Sequence, residues 1–362
     1  MRKFVTVVIC ACTVLPAGAG ASAVPRSLVR DAARLSGLPV RKPVQTATVS
    51  SRRYGALFSR AWNRDYPSSL RRIDASAYAL LGLTRRSVKV PAARAWYDIS
   101  PRRLYLQRSP AAGRRTVLNE LVRALIDQNY RLRRIVGLRA RDRDRWLAAR
   151  GIVDGTAALA SGLRAGAVHG TPLDRFSQLE AATGLGPGRA LAAELRYLGG
   201  RAALTSALRT FPQTTEQLLH VDKFLQHEPA LPVHLPSRAG GVALSASETF
   251  GELDVRNLLR AFGLRSADAT AAGWGGGRLA LYDGVAALVV RWDSAEDAAE
   301  WQAAVEQYVT AAFPGATPHT CPPLDHCWSG PGDVAAGVFG RTSVLAGGPG
   351  SSSVAAALLT LR

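Results

Sequence analysis

The pattern of apolar and polar positions predicts that the first two thirds of the chain are mostly helical. Apolar residues recur at helical spacing over 114–132 and again over 142–164. We expect the second helix to be interrupted or kinked near Gly151 and Gly155, because glycine destabilises a helix interior. Alternation over 94–108 predicts two short strands that turn at SPRR. Further helices are predicted over 27–37, over 52–88 in pieces, over 173–209 and over 214–228.

A segment rich in proline and glycine, residues 229–241, marks a change in this pattern. The stretch before it is mainly helical, whereas strand-like runs become frequent after it. We therefore predict the α+β fold class, with a mostly helical region over residues 24–235 and a smaller sheet-containing region over residues 236–362.

The second region has its own predicted elements. A hairpin is expected over 278–293 with its turn at Asp283-Gly284. The next helix has Ser294 as N-cap and Asp297 in the capping-box position, where an acid stands in for Glu or Gln. The stretch GWGGGR is interpreted as a tight turn with Trp274 packed beneath it. The other elements predicted in this region are a helix over 245–263, two strands over 333–348 and a C-terminal helix.

The first 23 residues have the composition of a signal peptide. Arg2 and Lys3 precede an apolar run of twelve residues, and Ala21 and Ala23 lie in a small-residue stretch suited to cleavage after Ala23. Twelve residues are too few to span a bilayer about 30 Å thick. The protein is therefore predicted to be secreted or extracytoplasmic. Lipidation at Cys12 is a less favoured alternative, because the apolar run before it would be very short.

Two cysteines remain after the predicted cleavage, Cys321 and Cys327 in HTCPPLDHCW. Outside the cytoplasm such a pair is expected to form a disulfide. His319 and His326 flank the pair, so a Cys2His2 metal site is the alternative. We favour the disulfide because the spacing matches no standard zinc pattern.

The charge is concentrated in the first part of the chain. Residues 24–150 hold 29 basic and 8 acidic side chains, whereas residues 151–362 hold 15 and 19. A basic surface of this kind predicts anionic partners, such as cell-envelope polymers or lipid headgroups. Nucleic acid is not expected, since no recognition motif is present. The alternative is that the arginines line solvated helix faces and pair with the acidic half.

Residues 119–123, NELVR, have the outline of the zinc-peptidase motif H-E-x-x-H. In that motif two histidines four apart present their nitrogens to one ion from the same helical face. The glutamate between them acts as general base on the metal-bound water. By itself, NELVR carries no such signal, because neither histidine is present.

The surrounding stretches raise the significance of the motif. The helix NELVRALIDQNYRL and four other stretches resemble, in order, segments of exported bacterial H-E-x-x-H proteins of the zinc metallopeptidase-like (zincin-like) type. The four are AWYDISPRRLYL, GIVDGTAAL, FPQTTEQLLHVDKFLQHEPALPV and AAGWGGGRLALYDG. The resemblance covers nearly all of the chain after the predicted signal peptide. It implies a zincin-like fold for residues 24–235 and a zinc-dependent peptidase ancestry.

The resemblance assigns roles to four positions. Asn119 and Arg123 stand at the two helix ligands, Glu120 at the catalytic base, and Asp154 at the third ligand. Arginine stays protonated and cannot bind zinc, and asparagine is a poor ligand. Zinc, the cofactor that the resemblance implies, is therefore predicted to be lost. We predict a non-catalytic pseudoenzyme that acts by binding; the alternatives are an active hydrolase that uses Glu120 with unidentified ligands, and a basic envelope-binding module.

A further hypothesis concerns Arg123, which is three residues from Glu120 on the same helix. If Asp154 lies where the resemblance puts it, the guanidinium would lie between two carboxylates and cross-link two helices. The alternative is that Arg123 points to solvent and pairs with Asp127. Glu120 and Asp154 could also form a paired-carboxylate acid/base site, which is less favoured because of the nearby arginine.

Three histidines recur every seven residues, His220, His227 and His234. Seven residues on a helix span about 10.5 Å along the axis, which is too far for one shared ion. We predict a hydrogen-bonding role for His220.

Overall fold

The structure, a computed structural model, describes residues 24–83 and 94–360. The predicted signal peptide, with Cys12 and the cleavage position at Ala23, lies outside these residues. The fold is α+β, with 52% helix and 20% strand, as predicted. None of the helices in the described residues combines the length and the apolar composition that a membrane-spanning segment requires.

The first region is built mostly from helices. They are α1 (Arg26–Ser36), α2 (Ser51–Asp65), α3 (Ser68–Leu80), α4 (Arg114–Tyr130), α5 (Arg143–Ser161), α6 (Pro172–Ala181), α7 (Arg189–Thr210), α8 (Thr215–Leu219) and α9 (Val221–Gln226). Three short strands are β1 (Gln45–Val49), β2 (Ala95–Asp98) and β3 (Arg103–Gln107). They form a small sheet in the order β1-β3-β2, in which β1 is parallel and β2 antiparallel to β3.

Helix α4 lies at the centre of this region. Its apolar stripe of Leu118, Leu121, Val122, Leu125 and Ile126 is buried, as the helical spacing of these residues requires. The stripe shares one core with α1, α5, α7 and the inner face of β2 and β3. Burial of this stripe fixes which residues of α4 can face α5.

Helix α5 is continuous, so the predicted interruption near Gly151 and Gly155 is wrong. These glycines instead allow a π-helical turn, Gly184–Gly188, to pack directly on the helix. A Cβ atom at Gly155 would lie 2.1 Å from the carbonyl carbon of Gly188, and one at Gly188 would lie 1.9 Å from the oxygen of Gly151. Tertiary packing therefore overrides the low helix propensity of glycine here.

The second region contains a curled sheet of eight strands in the order β4-β5-β6-β7-β11-β10-β9-β8, with antiparallel neighbours. The strands are β4 (Arg238–Ala239), β5 (Val242–Thr249), β6 (Trp274–Tyr282), β7 (Val285–Trp292), β8 (Thr317–Cys321), β9 (Leu324–Ser329), β10 (Val334–Phe339) and β11 (Thr342–Gly347). The helices of this region are α10 (Glu252–Ala261), α11 (Ala267–Ala272), α12 (Ala295–Ala312) and α13 (Ser351–Leu359).

Both faces of the sheet are covered, which explains the continuous apolar run in β7. Leu288, Val290 and Trp292 point to the face covered by α10, α11 and α12. Ala287 and Val289 point to the opposite face, which α13 covers. Side chains alternate along a strand, so burial on both faces explains why every position from 285 to 290 is apolar.

The core of the sheet also includes side chains from before residue 235. Tyr78 of α3, Leu81 just after it, and Phe176 of α6 belong to the cluster on the α12 face. The division at residues 235 and 236 stays a prediction, and the two predicted regions share a core.

Several of the predicted elements are confirmed. The β2–β3 and β6–β7 hairpins, the β10–β11 pair and the C-terminal helix α13 are present. Ser294 and Asp297 form the capping box of α12. The sequence from 214 to 228 forms two short helices, α8 and α9, where one was predicted.

Two predicted elements are wrong. Residues 245–249 belong to strand β5 instead of a helix, because their backbone pairs with β6. The GWGGGR stretch is largely the start of β6, not a tight turn, although Trp274 is buried as expected. Its glycines allow other backbone segments to approach, since a Cβ at Gly276 would lie 2.1 Å from the oxygen of Leu231. Strands β1, β4, β8 and β9 were not predicted.

Buried arginines join the helical region to the sheet. Arg139 is 5% exposed and forms ion pairs with Asp74 of α3 at 2.7 Å and Glu248 of β5 at 2.8 Å. Its guanidinium also lies over the ring of Tyr66, 4.9 Å from the centroid. One side chain therefore connects three separate parts of the chain.

Arg143, in the first turn of α5, is fully buried. It pairs with Glu180 of α6 at 2.6 Å and contacts Asp254 of α10, which is fully buried as well. Burial alone would lower the pKa of this guanidinium, but Asp254 and Glu180 outweigh burial and raise its pKa above the ordinary value. Arg143 is therefore a charged connection between α5, α6 and α10.

Candidate functional site

The positions that the resemblance assigned to a metal site come together between α4 and α5. Arg123 of α4 contacts Asp154 of α5, and the Ser161 hydroxyl of α5 lies 3.4 Å from Asn119 Oδ1 of α4. Glu120 is one residue from Asn119 on the same side of α4, because the opposite side carries the buried apolar stripe. Gly184 packs closely against Asp154, since a Cβ atom added at Gly184 would lie 2.2 Å from the Cβ of Asp154. This contact holds this part of α5 in place.

Arg123 lies between the two carboxylates, as the sequence hypothesis predicted. Its Nη1 donates a hydrogen bond to Glu120 Oε2 at 3.0 Å, and its Nε is 2.9 Å from Asp154 Oδ1. The second contact is an ion pair without hydrogen-bond geometry. The three side chains are 15%, 9% and 17% exposed, so the group is largely shielded from water. Arg150 also donates to Asp154, from Nε to Oδ2 at 3.1 Å.

Glu120 is held by donors on both of its oxygens. The backbone N–H of Tyr97 donates to Oε2 at 2.8 Å, in addition to Arg123. The Asn119 side-chain amide donates to Oε1 at 3.1 Å. A general base must accept a proton from a water or a substrate, so its lone pairs must be accessible. In this arrangement the carboxylate of Glu120 is occupied by the protein itself.

The electrostatic environment keeps Arg123 charged. Burial alone would lower the pKa of its guanidinium, but the carboxylates of Asp154 and Glu120 raise the pKa above the ordinary value of arginine. Tyr54 lies near the same group, where burial and then the Glu120 charge raise the pKa of its hydroxyl. The Tyr54 phenol is thereby kept neutral. The charged groups are then one guanidinium, that of Arg123, and the carboxylates of Glu120 and Asp154 on either side of it.

The residues at these positions do not fit a zinc ion. A catalytic zinc site needs three protein ligands and one open position. Arg123 offers only donors, and Asn119 offers an amide oxygen that faces the Ser161 hydroxyl. An ion in this place would also meet the guanidinium charge, a repulsion of several kcal/mol at an effective dielectric of about 20.

Two alternative interpretations of these residues are not supported by their contacts. Arg123 does not pair with Asp127; that carboxylate instead accepts from the Tyr97 hydroxyl at 2.8 Å and pairs with Arg102 at 3.3 Å. A paired-carboxylate acid/base site is disfavoured as well, because Arg123 contacts both Glu120 and Asp154 and leaves neither acid free.

His220 forms a hydrogen bond between its imidazole and a carboxylate. His220 Nε2 lies 2.9 Å from Glu252 Oε1, and this hydrogen bond raises the pKa of the imidazole. His227 ends α9 in the left-handed conformation and its ring contacts that of Phe224. The hydrogen-bonding role predicted for His220 is confirmed.

Cys321 and Cys327 form the predicted disulfide, with their Cα atoms 6.0 Å apart. The bond connects strands β8 and β9 across their turn. The alternative Cys2His2 site is therefore wrong, because disulfide sulfurs are not thiolate ligands. His326 instead stacks on Trp328, with ring centroids 5.7 Å apart.

A second cation between carboxylates was missed by sequence reasoning. Lys223 Nζ lies 2.5 Å from Glu216, 2.6 Å from Asp293 and 3.2 Å from Glu228. These three acids have oxygens within 4.8 Å of one another, which is a spacing that could hold a metal ion. Lys223 stands among them instead. Asp293 lies far along the sequence from Glu216, Lys223 and Glu228, so no local motif could indicate the cluster.

A cavity of about 600 Å³ lies away from Arg123, between the start of α5, the start of α8 and the segment after α9. Its lining includes Phe211, Trp274, His227, His234 and Arg145. None of Asn119, Glu120, Arg123 and Asp154 lines it. The cavity and the group around Arg123 are therefore separate features.

Asp144 lines this cavity and is 4% exposed. Its Oδ1 accepts the Thr215 hydroxyl at 2.5 Å and the Thr215 N–H at 3.0 Å. Within the described residues it forms no ion pair. Burial raises the pKa of this carboxyl to about 8, although the Thr215 hydrogen bonds act in the opposite direction. Asp144 is therefore expected to be protonated in the folded protein below that pH.

Replacing Asp144 with asparagine is expected to flatten the dependence of stability on pH. The pKa of the folded state, about 8, lies above the unfolded value near 4, so the folded state binds the extra proton between these values. The contribution of Asp144 to stability is complete below about pH 4 and is lost as pH rises toward 8. Urea unfolding at several pH values should show the Asp144→Asn variant gaining a few kcal/mol relative to the natural chain between pH 5 and pH 8. Parallel curves for the two proteins would contradict this assignment.

Comparison with known proteins reaches only the second region. Residues 241–357 match a family model described as a domain of unknown function, DUF8575. The match covers about a third of the chain, from the edge of strand β5 into α13, and it excludes α4 and α5. No curated protein and no solved structure matches the chain.

Proposed function

We propose that this protein is a metallopeptidase-like pseudoenzyme that acts by binding and not by hydrolysis. In this proposal the guanidinium of Arg123 stands where the zinc proteins that the chain resembles hold their metal. The observation that supports it is the buried contact of Arg123 with both Glu120 and Asp154. The proposal places the protein outside the cytoplasm, because a signal peptide is predicted at the start of the chain.

A guanidinium can replace the structural part of a metal site but not its chemistry. It neutralises two carboxylates and connects two helices, as an ion would. It cannot lower the pKa of a bound water or accept electron density from a carbonyl oxygen as zinc does. Glu120, at the position of the general base, is held by Tyr97, Asn119 and Arg123. These contacts argue against the alternative of a hydrolase that uses Glu120.

Restoring histidines should restore zinc binding. The double variant Asn119→His/Arg123→His places two imidazoles four residues apart on α4, with Asp154 opposite as the third ligand. We expect near zero zinc per chain at this site in the natural protein and close to one in the variant, measured by elemental analysis after dialysis against dilute zinc. Zinc at 100 times its Kd should also stabilise the variant by about 2.7 kcal/mol in thermal unfolding.

A matched control separates this site from others that contain histidine or acid. Adding Asp154→Asn to the double variant should remove most of the bound zinc, whereas Asp293→Asn, in the Lys223 cluster, should leave it in place. The proposal would be overturned by one zinc per chain in the natural protein that is lost on replacing Glu120 or Asp154. Peptidase activity of the natural chain that disappears in Glu120→Gln would have the same meaning.

A further inference from the structure

Helix α2 and the ends of the small sheet carry exposed arginines on a surface here named the α2 face. Its six exposed arginines are Arg52, Arg53 and Arg60 of α2, Arg94 just before β2, Arg103 of β3 and Arg108 just after it. Within the described residues none of the six forms an ion pair. The nearby acids are Asp65 and Asp98, and both pair with Arg64. The face therefore carries uncompensated positive charge.

Contacts at both ends hold α2 along the sheet. At its start, the Ser51 hydroxyl donates to the oxygen of Ser109 at 2.6 Å, and the Gln107 side-chain amide donates to Ser51 at 3.0 Å. At its end, Arg64 pairs with Asp98 of β2 at 3.0 Å. The helix has 15 residues and is about 22 Å long. The arginines are thus spread over a surface of that length instead of being clustered at one point.

Aromatic side chains lie on the same helix and strands as these arginines. Trp62 of α2 is 37% exposed. Phe58, Trp96 and Tyr105 are partly exposed and form a continuous group, with Phe58 edge-on to Trp96 at 5.5 Å and Trp96 stacked on Tyr105 at 5.4 Å. Tryptophan and tyrosine are the residues that occupy the interface between lipid and water, because one part of each ring system is apolar and the other polar.

We propose that the α2 face docks on the surface of an anionic lipid bilayer. The arginines match the negative headgroups, and each cationic side chain near such a surface adds about a fivefold factor to binding. The exposed Trp62 favours lipid over a soluble polyanion, since a polyanion offers charge but no apolar layer for the indole. The docking is peripheral and reversible, and it does not depend on the pseudoenzyme proposal above.

Co-sedimentation with vesicles tests this inference. The purified chain should bind vesicles of phosphatidylcholine with 30% phosphatidylglycerol, a composition chosen for the assay, and should not bind vesicles of phosphatidylcholine alone. Binding should weaken as salt is raised, because screening shortens the range of the attraction. Replacing Arg52, Arg53 and Arg60 together with glutamine should weaken binding by roughly 100-fold, from three factors of about five.

A second triple variant provides the matched control. Replacing Arg196, Arg201 and Arg265 with glutamine removes the same charge from exposed positions outside the α2 face, and we expect binding to stay within a fewfold of the natural protein. Trp62→Ala should weaken vesicle binding several-fold, measured below the thermal midpoint of the variant, because the indole also contacts the ring of Tyr66. Equal loss of vesicle binding in both triple variants would show a response to net charge only and would contradict docking through the α2 face. If Trp62→Ala binds vesicles as well as the natural protein and soluble polyphosphate fully displaces the vesicles, the ligand of the α2 face is a soluble polyanion. That result would overturn the proposal.

Discussion

Replacing Arg143 with methionine is expected to lower the free energy of unfolding by about 3–5 kcal/mol, the range for removing one partner of a buried ion pair. Methionine fills much of the same volume, so the loss comes mainly from charge and not from a cavity. It leaves the fully buried Asp254 without its cation and takes a partner from Glu180. The measurement is urea or guanidinium unfolding at neutral pH, followed by circular dichroism.

Arg260 provides the comparison for this variant. It pairs with Asp268 on the surface, where the two side chains are 36% and 56% exposed. Arg260→Met should therefore cost less than about 1 kcal/mol. Combining Arg143→Met with Asp254→Leu should recover part of the loss, because no buried charge is then left alone at that contact. A cost below 1 kcal/mol for Arg143→Met alone would mean that water or a rearranged neighbour replaces the guanidinium.

Replacing Arg123 with methionine is expected to lower the free energy of unfolding by about 3 kcal/mol. The change removes the charge between Glu120 and Asp154 and leaves two shielded carboxylates facing each other across α4 and α5. The expected cost is smaller than for Arg143, because Arg150 still pairs with Asp154 and the group retains some contact with water. Denaturant unfolding and the thermal midpoint should both report the loss.

Arg34→Met is the matched control for Arg123, since both arginines pair with an acid three residues away on their own helix. The Arg34–Asp31 pair is 72% and 28% exposed, and its loss should cost less than about 0.5 kcal/mol. Adding Glu120→Gln to Arg123→Met should restore part of the stability, because one of the two unpaired charges is removed. An unmoved thermal midpoint in Arg123→Met would end the view that this side chain cross-links the helices.

Local patterns predicted the contact around Arg123 for a physical reason. Glu120 and Arg123 are three residues apart, so any helix brings them together, and the apolar stripe of α4 decides which side they occupy. Asp154 was placed by resemblance alone, and the structure puts it against Arg123. The cap at Ser294 and the turn at Asp283-Gly284 could also be predicted from the sequence, because each depends on a few adjacent residues.

Features that depend on distant partners could not be predicted. Lys223 meets Glu216, Glu228 and Asp293 only after strand β7 has been paired and α9 has been placed. The sequence pattern of residues 245–249 predicts a helix, but these residues form part of strand β5 because β6 provides their hydrogen-bond partners. The low helix propensity of Gly151 and Gly155 predicts a break in α5. In the structure their missing side chains instead make room for the turn at Gly184–Gly188. For these two glycines tertiary contact outweighs a local preference of about 1 kcal/mol.

The covalent attachment of Arg123 to the chain has a consequence of its own. A bound ion dissociates, so a fold that depends on one varies with the supply of metal in its surroundings and with chelating molecules there. The charge between Glu120 and Asp154 is a side chain of α4, present in every copy from synthesis onward and always in a ratio of one to one. The junction of α4 and α5 can therefore form wherever the chain folds, including places where metal ions are scarce.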